Sequence, residues 1–296
     1  MPHMEELKQQ VIREAQTLGL SDIRFTDAEG TLSHGGGKPV ALQDVMPGAR
    51  SLIVLFAAYR PVKPAPRGHM ALSPYYPASH LAYTAARSLT EFLRSRGIRT
   101  LHATSLPAKA AALRTGGFLG DNGFYFHSRF GSLVCIQTLL TDAPFPPDEP
   151  EQGGGCLHCG RCAKSCPSGA VGRIDHCLRR HLNGLVPEPL RGDVYQLLGC
   201  EKCQTACPLN RFEPEEPVSF PLETLLTGSA LPQLKQLVGP NMARLMRVKA
   251  QAALYAANTG QNDALPELSK LIDSGAEPAA AHAAWARSRL TSEDVP

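Results

Sequence analysis

The residues of this chain that could do chemistry are above all its cysteines. There are nine, and eight of them lie between residues 156 and 207. The first ten residues carry charges and no long apolar stretch, so we expect a cytoplasmic protein. An odd number of cysteines in such a protein argues against a disulfide framework. Thiols two or three residues apart are instead typical of metal ligands.

The first cysteine run, CLHCGRCAKSCP, extends from Cys156 to Pro167. Its C-x2-C-x2-C-x3-C-P spacing is the one that bacterial ferredoxins use for iron–sulfur clusters. Three thiolates on a short curled loop converge on one cubane cluster, and the fourth points away and binds the other cluster. Structural zinc sites more often combine two separated C-x2-C pairs, so the spacing favours iron–sulfur over zinc.

The second run, Cys200 to Pro208, keeps the later spacings but has Leu197 where its first cysteine would stand. Two cubane clusters need eight thiolates and the two runs supply seven, so Cys177 or Cys135 must complete the set. Cys177 lies in a basic segment between the runs. Cys135 lies in an apolar strand, where we expect a buried free thiol.

The sequence therefore predicts two [4Fe–4S] clusters, with Cys177 as the eighth ligand. The predicted ligands of the first cluster are Cys156, Cys159, Cys162 and Cys207, and those of the second are Cys166, Cys177, Cys200 and Cys203. The segment from Cys156 to Arg211 has eight Lys or Arg residues and four Asp or Glu residues. Its positive charge would offset the negative charge of thiolate-bound clusters.

The first 150 residues alternate between helical and strand patterns. Apolar spacing predicts helices over Glu5–Gly19 and Ser79–Arg96. The continuous apolar run Ser51–Tyr59 predicts a strand covered on both faces, and Ser132–Thr141 predicts another strand. This alternation predicts a layered α/β or α+β domain of the cofactor-binding type over residues 1–150.

A linker rich in Pro, Gly and acidic residues, Asp142–Gly155, follows this domain. After it we predict a bacterial two-cluster ferredoxin-like module over residues 151–215. The net charge of the whole chain is only +3, which excludes a strongly basic nucleic-acid scaffold. No apolar run reaches the roughly 18 residues of a membrane helix, so no membrane partner is expected.

The remainder of the chain, residues 216–296, reads as a short helical tail. Met242–Ala257 and Ala264–Ile272 predict one antiparallel helix pair, and Pro278–Leu290 predicts a third helix. Two helices in roughly 40 residues resemble a single HEAT-type repeat.

Three features together resemble one known family, epoxyqueuosine reductase. They are the two cysteine runs with a lone cysteine between them, the phrase GCEKCQTACPLNR (Gly199–Arg211) and the ending HAAWARSRL (His282–Leu290). The resemblance implies a cobalamin-dependent reductase whose two clusters supply electrons to cobalt. It also implies base-off cobalamin in the α/β domain and a modified wobble base of transfer RNA as substrate.

The chain departs from this family at the residue that protonates the substrate. The family has Asp-Ser-Ala-Pro where this shorter chain has Thr104-Ser-Leu-Pro107, so Thr104 stands at the position of the acid. A hydroxyl of ordinary acidity is a poor proton donor at neutral pH. Thr104 therefore marks either a lost activity or a changed one, and Asp121 and Tyr125 are the nearest candidates to replace the acid.

The glycine-rich segment GGFLGDNG, Gly116–Gly123, could let the backbone approach a corrin or a flavin closely. The alternative is a tight surface turn. The candidate cofactor contacts are Gly117, Gly120, Gly123 and Lys109. A second glycine segment, His34–Pro39, lacks the register of a phosphate-binding loop and is expected to be a flexible loop.

These observations favour an iron–sulfur oxidoreductase that passes electrons from two clusters to a cofactor, with cobalamin as the first candidate, to reduce a nucleoside or a small molecule. The alternative is a non-catalytic two-cluster protein that carries electrons to another reductase. Cofactor binding by the N-terminal domain would discriminate between them. A flavodoxin- or ferredoxin-type protein is the expected electron donor. Support for transfer RNA is weak, because residues 244–289 have six basic and four acidic side chains.

Overall fold

The computed structural model describes residues 2–33, 37–151 and 154–292. Parts of the segment His34–Pro39 and of the linker Asp142–Gly155 thus lie outside the described residues. In the described part of the chain, no helix is both long enough and apolar enough to cross a membrane.

The helices and strands are numbered along the chain. The α-helices are α1 (Pro2–Thr17), α2 (Leu42–Val45), α3 (Tyr75–Arg94), α4 (Ala108–Leu113), α5 (Arg161–Ser165), α6 (Leu178–His181), α7 (Glu188–Arg191), α8 (Lys202–Thr205), α9 (Leu222–Thr227), α10 (Leu231–Val238), α11 (Leu245–Asn258), α12 (Leu265–Ser274) and α13 (Ala279–Thr291). The strands are β1 (Asp22–Asp27), β2 (Thr31–Leu32), β3 (Val40–Ala41), β4 (Ser51–Ala58), β5 (His69–Ala71), β6 (Thr100–His102), β7 (Phe118–Leu119), β8 (Tyr125–Phe126), β9 (Val134–Thr141) and β10 (Ser219–Pro221). Ile174–His176 and Asn262–Ala264 are short 3-10 helices.

The chain divides into two compact units. The first contains the described residues up to Tyr59 together with Ala78–Cys159. The second contains Arg60–Pro77 together with the described residues from Gly160 onward. The boundary therefore falls inside the first cysteine run, and not at the linker that the sequence suggests. The predicted division into three domains, at residues 150 and 215, stays a prediction.

The core of the first unit is a four-stranded sheet with the order β1-β4-β9-β6, in which every neighbouring pair is antiparallel. The prediction that Ser51–Tyr59 is a strand covered on both faces is confirmed, because each side chain from Ser51 to Ala57 is buried. Apolar side chains on both faces of a central strand exclude water from the hydrogen-bonded ladder. The antiparallel order makes this unit α+β in type.

The predicted helices of the first unit are also present. Helix α1 buries Leu7, Val11 and Ala15, which recur at helical spacing along one face. It ends before Gly19, whose φ of +83° lies in the left-handed region that favours glycine after a helix. Helix α3 likewise buries one alanine- and leucine-rich face.

Residues 60–77 belong to the second unit because of a pairing that sequence patterns do not reveal. Strand β5 pairs antiparallel with β10, with Met70 opposite Phe220. Leu72 bridges Leu197, close to the second cysteine run. The hydrogen bonds of this segment therefore go to residues far along the chain.

Helices α9–α13 supply most of the apolar core of the second unit. The predicted tail helices are present, but their packing differs from the predicted antiparallel pair. Helix α13 packs along both α11 and α12, which make few direct contacts with each other. The small side chains of α13, including Ala279, Ala283 and Ala286, are buried and allow this close approach to two helices.

Candidate functional site

The thiols of the second cysteine run lie near Cys177. Burial raises the pKa of Cys200 to about 11, and nearby negative charge, including a Cys177 thiolate, adds to the effect. Burial likewise raises the pKa of Cys203 to about 12, with the charges of Cys200, Cys177 and Cys166 contributing. The fold of the second unit therefore brings all four predicted ligands of the second cluster into electrostatic contact.

Cys166 reaches this group from the end of α5. Helix α5 packs on α8, and the Ser165 hydroxyl donates to the Lys202 carbonyl at 3.1 Å. Burial opposes ionisation of the Cys166 thiol, but hydrogen bonds to its sulfur, including one from the Ala170 N–H at 3.2 Å, lower its pKa. Hydrogen bonds of this kind stabilise a thiolate, the form that binds metal.

This donor set fits an iron–sulfur cluster. Thiolates at Cys200 and Cys203 need nearby positive charge, since burial and the neighbouring negative charges raise the pKa of both thiols. Iron cations would supply that charge and keep the thiols deprotonated. Cys162 also contributes to the raised pKa of Cys203, so the two predicted ligand sets are near each other at this point.

The predicted ligands of the first cluster are divided between the units. Cys156 and Cys159 end the first unit, whereas Cys162 and Cys207 belong to the second. Cys159 is exposed and the other three are half-buried. This ligand set stays a prediction. The burial predicted for Cys135 is confirmed, because this cysteine of β9 is only 2% exposed.

The position of the missing cysteine is a core position. Leu197 is fully buried, its N–H donates to the Ala71 carbonyl at 2.8 Å, and its carbonyl accepts from the Ser73 N–H at 3.0 Å. Gly199 lies so close to Ser73 that a Cβ atom there would overlap the serine side chain. A cysteine at position 197 would therefore point into the apolar core.

Sequence reasoning missed Glu201, which lies between two predicted cluster ligands. Glu201 is only 5% exposed, and its carboxylate accepts hydrogen bonds from the Ser73 hydroxyl and the Gln196 amide. The Glu201 N–H donates to the Tyr195 hydroxyl at 2.8 Å. Burial raises the pKa of Glu201, while these side-chain hydrogen bonds lower it. The carboxylate thus fastens the cysteine run to the segment around Ser73, a partner that no local pattern could predict.

A second unpredicted contact joins Asp121 to the first cysteine run, within the first unit. The His158 Nδ1 and the Asp121 Oδ1 lie 2.9 Å apart, and Cys156 lies close enough for all three to offer ligand atoms to one ion. The His158 side chain is 76% exposed. Asp121, a candidate acid, is thus already engaged by an imidazole.

The other two candidate acids differ sharply in environment. Tyr125 is buried, its ring stacks on Phe56 at 5.8 Å, and burial raises its pKa to about 12. A phenol with a raised pKa is a weaker proton donor at neutral pH. Thr104 is exposed in the turn between β6 and α4, where its N–H donates to the His102 carbonyl at 3.1 Å.

The glycine segment folds into the hairpin formed by β7 and β8. A Cβ atom on Gly117 would overlap the Phe126 carbonyl, and one on Gly120 would lie 2.6 Å from the Phe126 ring. Gly123 faces open space with a φ of +72°, and Lys109 Nζ donates to its carbonyl at 2.5 Å. Packing within the hairpin accounts for Gly117 and Gly120, as the alternative of a tight turn expects, and the assignment of the segment as a cofactor contact stays a prediction.

Comparison with known proteins extends the likeness beyond the cysteines. No protein-family model matches the chain. Epoxyqueuosine reductase of Bacillus cereus is 28% identical, over 98% of this chain and 91% of the relative. The Staphylococcus aureus enzyme is also 28% identical, over 98% and 90%. A crystal structure of epoxyqueuosine reductase with an epoxyqueuosine-modified tRNA-Tyr stem loop superposes with a TM-score of 0.79 and 25% identity, covering 98% of this chain and 91% of that one.

The chain is an epoxyqueuosine reductase-like protein. The resemblance carried by Gly199–Arg211 and His282–Leu290 is thereby confirmed. The alignment with the Bacillus cereus enzyme covers 98% of this epoxyqueuosine reductase-like chain. The similarity therefore includes both units and is not confined to the cysteine runs.

Proposed function

We propose that the chain is an iron–sulfur oxidoreductase that reduces a modified nucleoside in transfer RNA, with two [4Fe–4S] clusters as its electron carriers. The observation that carries the proposal is the meeting of Cys166, Cys177, Cys200 and Cys203 in the second unit, in a chain that resembles epoxyqueuosine reductase over nearly its whole length. Clusters bound there would supply single electrons to the reduction.

The chain's own residues would keep these ligands in place. Glu201 fixes the second run through Ser73 and Gln196, and Lys202 forms an ion pair with Asp193 at 2.8 Å. Ligand positions that are fixed before the metal binds reduce the conformational entropy that binding must overcome. The buried Leu197 limits the second run to three cysteines, which supports a role for Cys177 as a ligand.

The experiment uses the anaerobically purified chain with its clusters reconstituted. Reduction of an epoxide to an alkene consumes two electrons and two protons and releases one water molecule. We expect dithionite-reduced protein to remove one oxygen atom from an epoxyqueuosine-modified tRNA stem loop, detected by mass spectrometry of the nucleosides. An unmodified stem loop is the matched control. A cluster-replete protein that is also supplied with cobalamin and still leaves the epoxide intact would contradict this substrate.

Cobalamin is the further cofactor that the family resemblance implies, and no residue of the glycine segment is assigned to it. Binding is tested by electron paramagnetic resonance of cob(II)alamin titrated with the chain. Loss of the nitrogen superhyperfine splitting would support base-off binding, whereas an unchanged spectrum would exclude cobalamin.

One observation favours the alternative, a two-cluster protein that carries electrons to another reductase. Thr104 stands where the family has its acid, and burial makes Tyr125 a poor replacement. This alternative predicts clusters that are reduced and reoxidised reversibly in a chain that reduces no nucleoside. The mass-spectrometric experiment therefore separates the two functions.

A further inference from the structure

We propose that an exposed basic surface around Cys166 and Cys177 is the docking site for an acidic one-electron carrier protein. It comprises five exposed side chains, those of Arg161, Lys164, Arg173, Ile174 and Arg180, which flank these two cysteines along the chain. The inference rests on the proposed function, because it takes these two cysteines as ligands of an electron-accepting cluster.

The surface carries a strong positive charge. Between residues 160 and 184 the chain has five Lys or Arg residues and a single acid, Asp175. The four basic side chains of the surface are all exposed. In the described part of the chain, none of the four forms an ion pair, although other basic residues of the second unit do, such as Lys202 and Lys270. Exposed positive charge that is not neutralised by an ion pair attracts an acidic protein and raises its rate of association.

Two of these basic residues are hydrogen-bonded close to the predicted ligands. The Arg173 guanidinium donates to the Gly169 carbonyl at 3.4 Å, and the Gly169 N–H donates to the Cys166 carbonyl at 3.3 Å. The Arg180 N–H donates to the Cys177 carbonyl at 2.9 Å. A protein bound at this surface would thus lie against the backbone that holds both sulfurs. Electron transfer slows steeply with distance, so such contact favours rapid transfer.

The surface also includes an apolar side chain. Ile174 is 60% exposed, directly follows Arg173 and lies in the 3-10 turn that leads to Cys177. Protein–protein interfaces typically combine an apolar centre with a charged rim. A surface for RNA phosphates needs no exposed isoleucine, so the composition favours a protein partner.

The redox step is a single electron transfer. One electron leaves the reduced carrier and one enters the oxidised cluster, so the carrier is oxidised by one electron and the cluster is reduced by one. No bond forms or breaks, and no proton is required for the balance.

The experiment uses the cluster-replete full chain and reduced flavodoxin, an acidic flavin protein, as the probe. Cluster reduction is followed by stopped-flow absorbance, and binding of oxidised flavodoxin is measured separately by calorimetry. The test variant is the double charge reversal Lys164→Glu with Arg173→Glu. Lys235→Glu, an exposed charge reversal on α10, is the matched control. Ile174→Ser tests the apolar contribution without a change of charge.

For the double variant we expect the second-order rate of reduction by flavodoxin to fall about tenfold or more at low salt. Binding should weaken in parallel. The wild-type rate should fall as salt rises, and Lys235→Glu should stay within about twofold of wild type. Reduction by dithionite, a small molecule that needs no docking, should be unchanged in every variant.

A double variant that flavodoxin reduces as fast as wild type, with the same salt dependence, would overturn the docking site. Loss of binding to a tRNA stem loop, with an unchanged flavodoxin rate, would reassign the surface to RNA and also overturn it. A wild-type chain that shows no cluster reduction by dithionite would instead overturn the proposed function, and the docking proposal with it. Retained dithionite reduction therefore separates failure of this proposal from failure of the function.

Discussion

The central strand of the sheet and the segment of the second cysteine run are both buried, but they bury different groups. In β4, every side chain from Leu52 to Phe56 is apolar and fully buried. Between residues 195 and 210, in contrast, buried side chains include Gln196, Glu201 and Gln204. The strand is stabilised by apolar burial, which is non-directional and roughly additive. The cysteine segment depends on hydrogen bonds, whose loss leaves costly unpaired polar atoms.

This contrast accounts for the positions of the predicted ligands. The apolar side chains of β4 offer no group that could bind a cation. Cys135, in the neighbouring strand β9, is buried in the core, where a cysteine behaves as a small apolar residue. A segment held by polar contacts can keep thiols half-buried and close together. The following predictions test the contrast, in order of decreasing effect.

The largest effect is expected for Cys177→Ser. If Cys177 is the eighth ligand, one cluster is lost and the bound iron falls to about half that of wild type. Iron and sulfide analysis of the anaerobic protein measures this, and Cys135→Ser is the matched control, with unchanged iron. The assignment would be wrong if Cys135→Ser lost the iron and Cys177→Ser kept it.

In the sheet, Leu55→Ala should lower the free energy of unfolding by about 2–5 kcal/mol, because it leaves a cavity in a fully packed strand. Denaturant unfolding of the cluster-free chain measures the change. The iron that the folded variant binds should equal that of wild type, since the strand contributes no ligand. Equal loss of iron and of stability would show that the two regions do not respond independently.

The third prediction concerns pH. His282 is fully buried, its Nε2 accepts the Val186 N–H at 3.0 Å, and burial lowers its pKa from 6.5 to about 4, assisted by the nearby Arg191 charge. In the unfolded chain this imidazole is protonated as the pH falls through about 6.5, whereas in the folded chain it is protonated only near pH 4. Stability from the neutral imidazole is thus complete above pH 6.5 and is lost as the pH falls towards 4.

This loss amounts to at most roughly 3 kcal/mol, at about 1.4 kcal/mol for each pKa unit. Thermal unfolding of His282→Gln across that pH range should lack this component, because glutamine does not titrate. An identical pH profile in wild type and His282→Gln would rule out this histidine as its source.

A smaller effect is expected for Glu201→Ala. It removes the acceptor of the Ser73 hydroxyl and the Gln196 amide, at a cost of about 1–3 kcal/mol. Hydrogen exchange of backbone amides in residues 195–210 should become faster, while amides of β4 keep their protection. Glu201→Gln retains one acceptor and should have a smaller effect than Glu201→Ala. Faster exchange in β4 would contradict the separation of the two regions.

The smallest effect is expected for Gly123→Ala, which costs about 1 kcal/mol because an alanine there must adopt a positive φ. Gly117→Ala should cost more, since its methyl group would also overlap the Phe126 carbonyl. Thermal unfolding compares the two variants. Equal costs would contradict the account of Gly117 as a residue required by hairpin packing.

Much of the chemistry and part of the fold could be predicted from local patterns. Hydrophobic periodicity among neighbouring residues predicts the strand Ser51–Tyr59 and the helices α1, α3, α11 and α13. The ferredoxin-type spacing is likewise visible in a short continuous segment of the sequence. The family resemblance was equally visible, because Gly199–Arg211 is a continuous motif. Ligand types and their spacing along the chain are enough for predictions of this kind.

Only the tertiary structure decided where the supporting contacts lie. Two of these contacts join residues far apart in sequence: the pairing of β5 with β10 and the hydrogen bond from Ser73 to Glu201. The burial of Leu197 likewise depends on residues that are distant along the chain. The same holds for the contact of Asp121 with His158, and for the hairpin that fills the space at Gly117. Local periodicity records which face of an element is apolar. Which distant polar group meets a buried donor or acceptor depends on how the whole chain packs, because a buried group must find its partner in space.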